Sequence, residues 1–156
     1  MINVMVLPAV AMEGQNVSED TLVISIASPG CVHPVIHGEH IYKFWLYDVT
    51  EEYVVGDRLI RPMEYEIAES IVEICMSNRD KKRWIIHCEA GISRSPGVAI
   101  GLSRYIDLFL STDELIRRFP MYNKYIEKMI SKAMKAKLLE IELNIRERSM
   151  IDPHGF

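Results

Sequence analysis

Short apolar runs alternate with longer amphipathic stretches along this chain, and the alternation predicts a fold of both strands and helices. Four runs have the length and the β-branched or aromatic content of strands. They cover residues 2–7, 22–26, 42–47 and 84–87. The second run is followed by a Ser-Pro-Gly sequence, which is a turn signal.

Four further stretches are predicted as helices. The first covers residues 63–77, and the second follows the small-residue segment 87–97 and ends near residue 108. The third begins at residue 112 and ends at 119–120, and the fourth covers residues 122–146. Isoleucines spaced three or four apart give the first helix an apolar face, and Pro62 stands at its first position. Ser111 and Glu114 are three residues apart and form a predicted capping box for the third helix.

The order of strands and helices predicts an α/β fold with a small, mostly parallel central sheet flanked by helices. Open sheets of this kind bind ligands at the carboxyl ends of their strands. No linker or shift in composition divides the chain, so we expect one domain over residues 1–156.

Composition narrows the classes of function. Hydrophobic residues make up 49% of the chain and charged residues 26%, which is typical of a globular domain in water. The net charge of −4 does not favour a nucleic-acid partner, and the basic triplet 81–83 is predicted as a solvated turn. Residues 1–12 are apolar but lack a basic flank and are too short to span a bilayer, so no membrane partner is expected. The oligomeric state is left open.

The chain has three cysteines, Cys31, Cys75 and Cys88. Their spacing fits neither a metal site nor a disulfide framework, which suits a reducing compartment and predicts a cytoplasmic location. One loop contains three histidines, His33, His37 and His40. No cysteine or carboxylate pattern completes a metal site around them, so they are interpreted as loop residues.

Residues 87–97 read His-Cys-Glu-Ala-Gly-Ile-Ser-Arg-Ser-Pro-Gly, between a predicted strand and a predicted helix. A loop in this setting is a natural anion cradle because its backbone N–H groups and the helix dipole create positive potential. Cys88 would lie in that field, where a thiolate is stabilised and acts as a nucleophile. Arg94 has a planar guanidinium that can bind two phosphate oxygens at once.

Neighbouring residues of the loop fit the same chemistry. Gly91 lets the backbone approach an anion closely or adopt a positive φ. Ser95 can donate a hydrogen bond to the sulfur when the sulfur is a leaving group, and His87 can hold the loop through a ring N–H to a carbonyl. Pro96 and Gly97 fit just inside the start of a helix.

The pattern His-Cys-x-x-Gly-x-Ser-Arg-Ser resembles the phosphate-binding loop of the protein tyrosine phosphatase superfamily, in its dual-specificity-like branch. The six matching residues are His87, Cys88, Gly91, Ser93, Arg94 and Ser95. The resemblance covers about residues 20–130, more loosely outside 84–105, and implies helices on both faces of the sheet. It also implies that substrate binds along the loop and that the reaction needs no metal or other cofactor. The binding residues would be Glu89, Ala90, Gly91, Ile92, Ser93 and Arg94.

The resemblance further implies a general acid, an aspartate about 30–40 residues before the cysteine. Asp48 directly follows a predicted strand, and the segment 46–50 resembles the family's strand-then-aspartate arrangement. Asp57 has the commoner spacing but lies in a predicted turn within a short insertion over residues 53–59. We favour Asp48 as the catalytic acid, and Asp57 remains the alternative.

Three residues outside the loop are weaker candidates. Asn123 resembles an asparagine that orients water in some family members, although its position also fits a helix cap. Cys31 or Cys75 could form a protective disulfide with oxidised Cys88. Cys75 fits a helix core better, so Cys31 is the better candidate.

The resemblance, together with the chemistry of the loop residues, therefore implies a hydrolase that cleaves phosphotyrosine in proteins or peptides through a cysteinyl-phosphate. Whether phosphoserine and phosphothreonine are also substrates is left open. Glu89 beside the cradle would repel polyanions, which favours protein over lipid or RNA. The alternatives are a phosphate-binding module without turnover and a thiol enzyme such as a sulfurtransferase or an arsenate reductase.

Overall fold

A computed structural model describes residues 1–151. In chain order the elements are β1 (Asn3–Pro8), α1 (Ala9–Met12), β2 (Thr21–Ala27), β3 (Ile41–Trp45), β4 (Tyr53–Val55), β5 (Arg58–Ile60), α2 (Tyr65–Ser77), β6 (Arg83–Cys88), α3 (Arg94–Ser103), α4 (Thr112–Arg118) and α5 (Lys124–Ile151). Four strands form one parallel sheet in the order β1-β6-β2-β3, and β4 and β5 form a separate antiparallel hairpin. The predicted α/β class with a small parallel sheet is confirmed.

Strand β2 shows how the sheet is buried, because all seven of its residues are buried. Alternate side chains of a strand point to opposite faces. Leu22 and Ile24 join the large core cluster, which includes buried residues of α2, α3, α4 and α5. Val23 joins a smaller cluster with Met12 of α1 and Ile85. Helices therefore lie on both faces, but the second face has only the four residues of α1, with part of the loop before β3 packed beside it.

The start of α2 and the end of α3 differ from the prediction. Helix α2 begins at Tyr65, so Pro62 is not its first residue. Met63 is 1% exposed and belongs to the large core cluster, and the extended backbone of Glu64, the N-cap, separates it from the helix. Helix α3 ends at Ser103 rather than near 108, because Leu108 pairs with Ile2 beside the edge strand β1.

The cap of α4 agrees with the sequence pattern, whereas α5 is longer than predicted. Ser111 caps α4 by accepting a hydrogen bond from the Glu114 N–H at 3.2 Å, as the capping box predicts. Helix α5 begins at Lys124 and continues to Ile151, five residues beyond the predicted end at 146. The insertion over 53–59 is the β4–β5 hairpin, and Asp57 lies in its turn. Of the basic triplet 81–83, Lys81 and Lys82 lie between α2 and β6 as expected, whereas Arg83 is the first residue of β6.

Candidate active site

Cys88 is the last residue of β6, a central strand of the sheet, and its side chain is 2% exposed. The Gly91 N–H donates to Cys88 Sγ at 3.3 Å, and Ser95 Oγ lies 3.1 Å from the same sulfur. Ser95 is the second residue of α3, so the sulfur lies beside the N-terminus of that helix. A sulfur with these neighbours can be stabilised as a thiolate and as a leaving group.

Gly91 closes the loop against the end of β1. Its φ is +70°, and a Cβ at this position would lie 2.7 Å from Pro8 N and 2.8 Å from the Leu7 carbonyl carbon. Only glycine fits both the backbone conformation and the space. A backbone hydrogen bond of 3.0 Å from the Ala9 N–H to the Glu89 carbonyl also ties the loop to the first residue of α1.

Arg94 begins α3 and is 5% exposed. Its Nη1 donates to Ser28 Oγ and to the Leu46 carbonyl, both at 2.9 Å. Ser28 follows β2 and Leu46 follows β3, so the carboxyl ends of two parallel strands hold the guanidinium. The two N–H groups of Nη1 are thereby used, and Nε and Nη2 are the remaining donors for a bidentate anion. Nη2 lies 3.7 Å from Glu89 Oε2, a carboxylate that is largely exposed.

Asp48 contacts the loop directly. Ser93 Oγ donates to Asp48 Oδ1 at 2.7 Å, and Asn123 Nδ2 donates to the same oxygen at 2.9 Å. Within the described chain no hydrogen bond or ion pair joins Asp57, in its exposed hairpin turn, to the loop. The geometry therefore brings Asp48, and not Asp57, to the cradle.

Asn123 caps α5 and also contacts the site. Its Oδ1 accepts from the Ile126 N–H at 2.9 Å, which caps α5, while Nδ2 donates to Asp48 Oδ1 and to the Val49 carbonyl. The Asn123 backbone N–H donates to the Ser93 carbonyl at 2.9 Å. The start of α5 is thus tied to both the loop and the segment after β3.

His87 lies under the loop and is fully buried. Its Nδ1 lies 3.2 Å from the Cys88 carbonyl oxygen, and its Nε2 lies 2.6 Å from Ser25 Oγ. Ser25 Oγ also lies 2.8 Å from Nδ1 of His33, which is 7% exposed. Sequence reasoning missed Ser25 altogether and interpreted His33 as an ordinary loop residue. The parallel register pairs Ser25 with His87, but that pairing depends on strand order.

The other candidates are spread more widely. Glu89, Ala90 and Ile92 are exposed along the loop. Cys31 is exposed, whereas Cys75 packs inside α2 and the core, where burial raises the pKa of its thiol. The three cysteines are free thiols, and a disulfide on oxidation stays a prediction. In the described part of the chain, no group of three or more His, Cys, Asp or Glu residues is arranged to hold a metal ion.

Comparison with protein-family models, with curated proteins and with solved structures finds no match for this chain. The interpretation of the site therefore depends on its residues and their geometry. Across residues 1–151, none of the helices combines the length and apolar character needed to cross a lipid bilayer.

Proposed function

We propose that this chain is a cysteine-dependent phosphatase of the protein tyrosine phosphatase superfamily, and that it hydrolyses phosphotyrosine in proteins. The observation that carries the proposal is the convergence of three groups on one loop. Cys88 lies beneath the Gly91 N–H, Arg94 is held at the helix start, and Asp48 is hydrogen-bonded to Ser93. A nucleophile, an oxyanion-binding cation and a proton donor are the groups that phosphate-ester hydrolysis needs.

In the first step Cys88 Sγ attacks phosphorus in line, and the bond from phosphorus to the ester oxygen breaks. Arg94 and the loop N–H groups hold the equatorial oxygens, so positioning and charge stabilisation supply most of the acceleration. Asp48 enters protonated and gives its proton to the departing oxygen. Its Oδ1 already accepts two hydrogen bonds, which leaves Oδ2 to carry that proton.

In the second step water attacks the cysteinyl-phosphate, and Asp48 takes a proton from the water. The bond from sulfur to phosphorus breaks, and inorganic phosphate and the Cys88 thiolate are released. Ser95 Oγ, 3.1 Å from Sγ, donates a hydrogen bond that stabilises the departing sulfur. The cycle consumes one ester and one water and needs no redox partner.

Glu89 favours a protein substrate over a lipid or RNA polyanion. Its carboxylate lies 3.7 Å from the Arg94 Nη2 and is exposed at the mouth of the loop. A ligand with one phosphate need only displace this contact, whereas a ligand with several phosphates also meets the negative charge. Phosphoseryl and phosphothreonyl peptides belong in the same assay as phosphotyrosyl peptides, because the depth of the site decides among them.

The test is hydrolysis of p-nitrophenyl phosphate and of phosphopeptides by the wild-type chain, with and without vanadate or EDTA. We expect vanadate to block activity and EDTA to spare it. Cys88→Ser should abolish turnover and still bind vanadate, while Cys31→Ser, which removes an exposed cysteine outside the loop, should retain full activity. A Cys88→Ser variant with undiminished turnover would refute the proposal.

The same preparation separates the rival classes. Phosphate binding without release of p-nitrophenol would identify a binding module. Reduction of arsenate, or transfer of sulfur to cyanide, in the absence of phosphatase activity would identify a thiol enzyme. The contacts of Asp48 and Ser95 favour hydrolysis over these, since neither rival needs a proton donor for an ester oxygen.

A further inference from the structure

Three buried side chains next to the nucleophile are linked in a hydrogen-bond chain. His33 Nδ1 lies 2.8 Å from Ser25 Oγ, and Ser25 Oγ lies 2.6 Å from His87 Nε2. At the far end, His87 Nδ1 lies 3.2 Å from the carbonyl oxygen of Cys88. The three residues come from β2, from the loop after β2 and from β6, and all are at least nine-tenths buried.

Only one orientation of the protons fits the end of the hydrogen-bond chain at which His87 meets the Cys88 carbonyl. The Cys88 carbonyl can only accept, so a hydrogen bond at this contact requires the His87 proton on Nδ1. Nε2 is then an acceptor and takes the Ser25 hydroxyl proton. With its hydrogen committed, Ser25 Oγ accepts from the His33 Nδ1–H. The reverse orientation would set a His87 lone pair against the Cys88 carbonyl.

The outer end of the chain agrees with this orientation. His33 Nε2 is buried and has no hydrogen-bond partner among the described residues. A buried acceptor without a partner is less unfavourable than a buried N–H without one, so the proton belongs on Nδ1. The ring is held from its other side by Trp45, edge to face, with 4.7 Å between ring centroids.

Both rings are neutral at neutral pH, as this tautomer argument requires. Burial lowers the pKa of His33, and the positive charge of Lys43 lowers it further. Burial also lowers the pKa of His87, although the hydrogen bond to Cys88 opposes that shift. Lys43 faces His33 from β3, where it is the register partner of Ser25.

We propose that Ser25 and His33 are positioning residues, which fix the tautomer of His87 and through it the peptide that follows the nucleophile. The His87 Nδ1–H polarises the Cys88 carbonyl, and the N–H of the same peptide, on Glu89, becomes a stronger donor in the cradle. The chain thus strengthens the positive field around the sulfur from a place that no substrate touches. The activity readout rests on the proposed function, whereas the measurements of histidine tautomers and of Cys88 alkylation described below do not.

The first measurement is ring ¹⁵N–¹H correlation spectroscopy at pH 7 on the wild-type chain. We expect both His87 and His33 in the Nδ1–H form. The second is the pH profile of Cys88 alkylation by iodoacetamide, in a Cys31→Ser background that removes the exposed thiol. Ser25→Ala should move His87 to a mixture of tautomers and shift the alkylation midpoint to higher pH.

The variants include a rescue and a matched control. Ser25→Thr keeps the hydroxyl and should restore the His87 tautomer and the profile. His33→Phe removes the donor to Ser25 and should give a smaller shift in the same direction. Ser103→Ala removes another doubly hydrogen-bonded serine, outside the site, and should change neither readout. For phosphatase kcat/KM we expect a two- to tenfold fall in Ser25→Ala, about the effect of one lost hydrogen bond.

A His87 ring found in the Nε2–H form in the wild type would overturn the proposal. So would a Ser25→Ala variant with the wild-type tautomer and alkylation profile, or a His33→Phe variant unchanged in both. If the tautomers and alkylation respond as expected and no phosphatase activity exists, the positioning chain stands and the proposed function fails.

Discussion

Asn123 and Asp48 are 75 positions apart in the sequence, and the Asn123 side-chain N–H donates to Asp48 Oδ1 at 2.9 Å. The same oxygen accepts from Ser93 Oγ at 2.7 Å. One carboxylate oxygen is thus fixed by two donors from opposite sides, the loop and the start of α5. No described residue forms a hydrogen bond with the other oxygen, Oδ2, which leaves it free for the proton transfer that we propose.

We expect Asn123→Ser to separate the two roles of this side chain. Serine is a good N-cap and can accept from the Ile126 N–H, but it is too short to reach Asp48. The variant should keep its stability within about 0.5 kcal/mol and lose about tenfold in kcat, a part of what a general acid contributes. Urea denaturation and steady-state kinetics together check this.

The matched variant is Asn123→Ala, which removes the cap as well. It should show the same loss of kcat and a further loss of about 1 kcal/mol in the free energy of unfolding. Equal kcat in wild type and Asn123→Ser would show that Asp48 does not need this donor.

The choice between the two aspartates can be tested with leaving groups. Asp48→Asn removes the proposed proton donor, so turnover should fall by about 10²–10⁴ on a poor leaving group such as an alkyl phosphate. The loss should be smaller on p-nitrophenyl phosphate, whose leaving group needs less protonation. Asp57→Asn, in the exposed hairpin turn, is the control and should behave as wild type. The opposite ranking would reassign the acid to Asp57.

The four strands of the parallel sheet could be predicted from sequence because each is a short apolar run, whereas the three-residue strands β4 and β5 were not predicted. The start of α2 could not be predicted, because Met63 belongs to the core cluster and not to the helix, and the end of α3 could not, because it depends on Leu108 pairing with Ile2. Both involve partners distant in sequence, which periodicity does not encode.

Some residues of the candidate site could likewise be predicted from the sequence, and others could not. Cys88 and Arg94 are six positions apart, so a local motif brings both to notice. Asp48 follows a strand, and parallel strands end at one edge of the sheet, which gives it a reason to approach the loop. Ser25 and His33 carried no such signal, since Ser25 reaches His87 only because β6 lies beside β2 in this register, and His33 is linked to His87 only through Ser25.

Gly91→Ala should both destabilise the fold and disturb the nucleophile. Positive φ alone is unfavourable for alanine by about 1–2 kcal/mol, and the Cβ would also clash with backbone atoms of Leu7 and Pro8, which cannot rotate away. We expect a loss of at least about 2 kcal/mol in unfolding free energy, together with a fall in activity, because the Gly91 N–H leaves Cys88 Sγ.

Gly56→Ala is the matched control for that substitution. Gly56 has a φ of +63° in the β4–β5 turn, and nothing lies within 4 Å of an added Cβ. It therefore isolates the backbone term, and we expect a loss of about 1 kcal/mol with unchanged activity. Equal losses of unfolding free energy at both positions would mean that the backbone at the end of β1 shifts to accommodate the added Cβ.

Glu89→Gln should tighten the binding of phosphate and vanadate. The substitution removes a negative charge 3.7 Å from Arg94 Nη2 and keeps the size of the side chain. Because the carboxylate is largely exposed, we expect a gain of no more than about fivefold, and a smaller one at high salt. Competitive inhibition at two ionic strengths measures it, and Glu142→Gln, on an exposed helix ion pair, is the control. Weaker anion binding in Glu89→Gln would show that Glu89 orients Arg94 instead of opposing the ligand.

The stability of the fold should fall as the pH is lowered below the ordinary histidine pKa of 6.5. Burial lowers the pKa of both His33 and His87 in the folded state, so the unfolded chain binds protons first as the pH falls. Stability is therefore complete above pH 6.5 and is lost between that value and the lowered folded pKa, by up to about 1.4 kcal/mol per pH unit for each ring. Urea denaturation of wild type and His33→Gln between pH 5 and 7.5 checks the sign. The variant should show a shallower slope, because carboxylate titration is common to both chains, and equal slopes would exclude His33 from the effect.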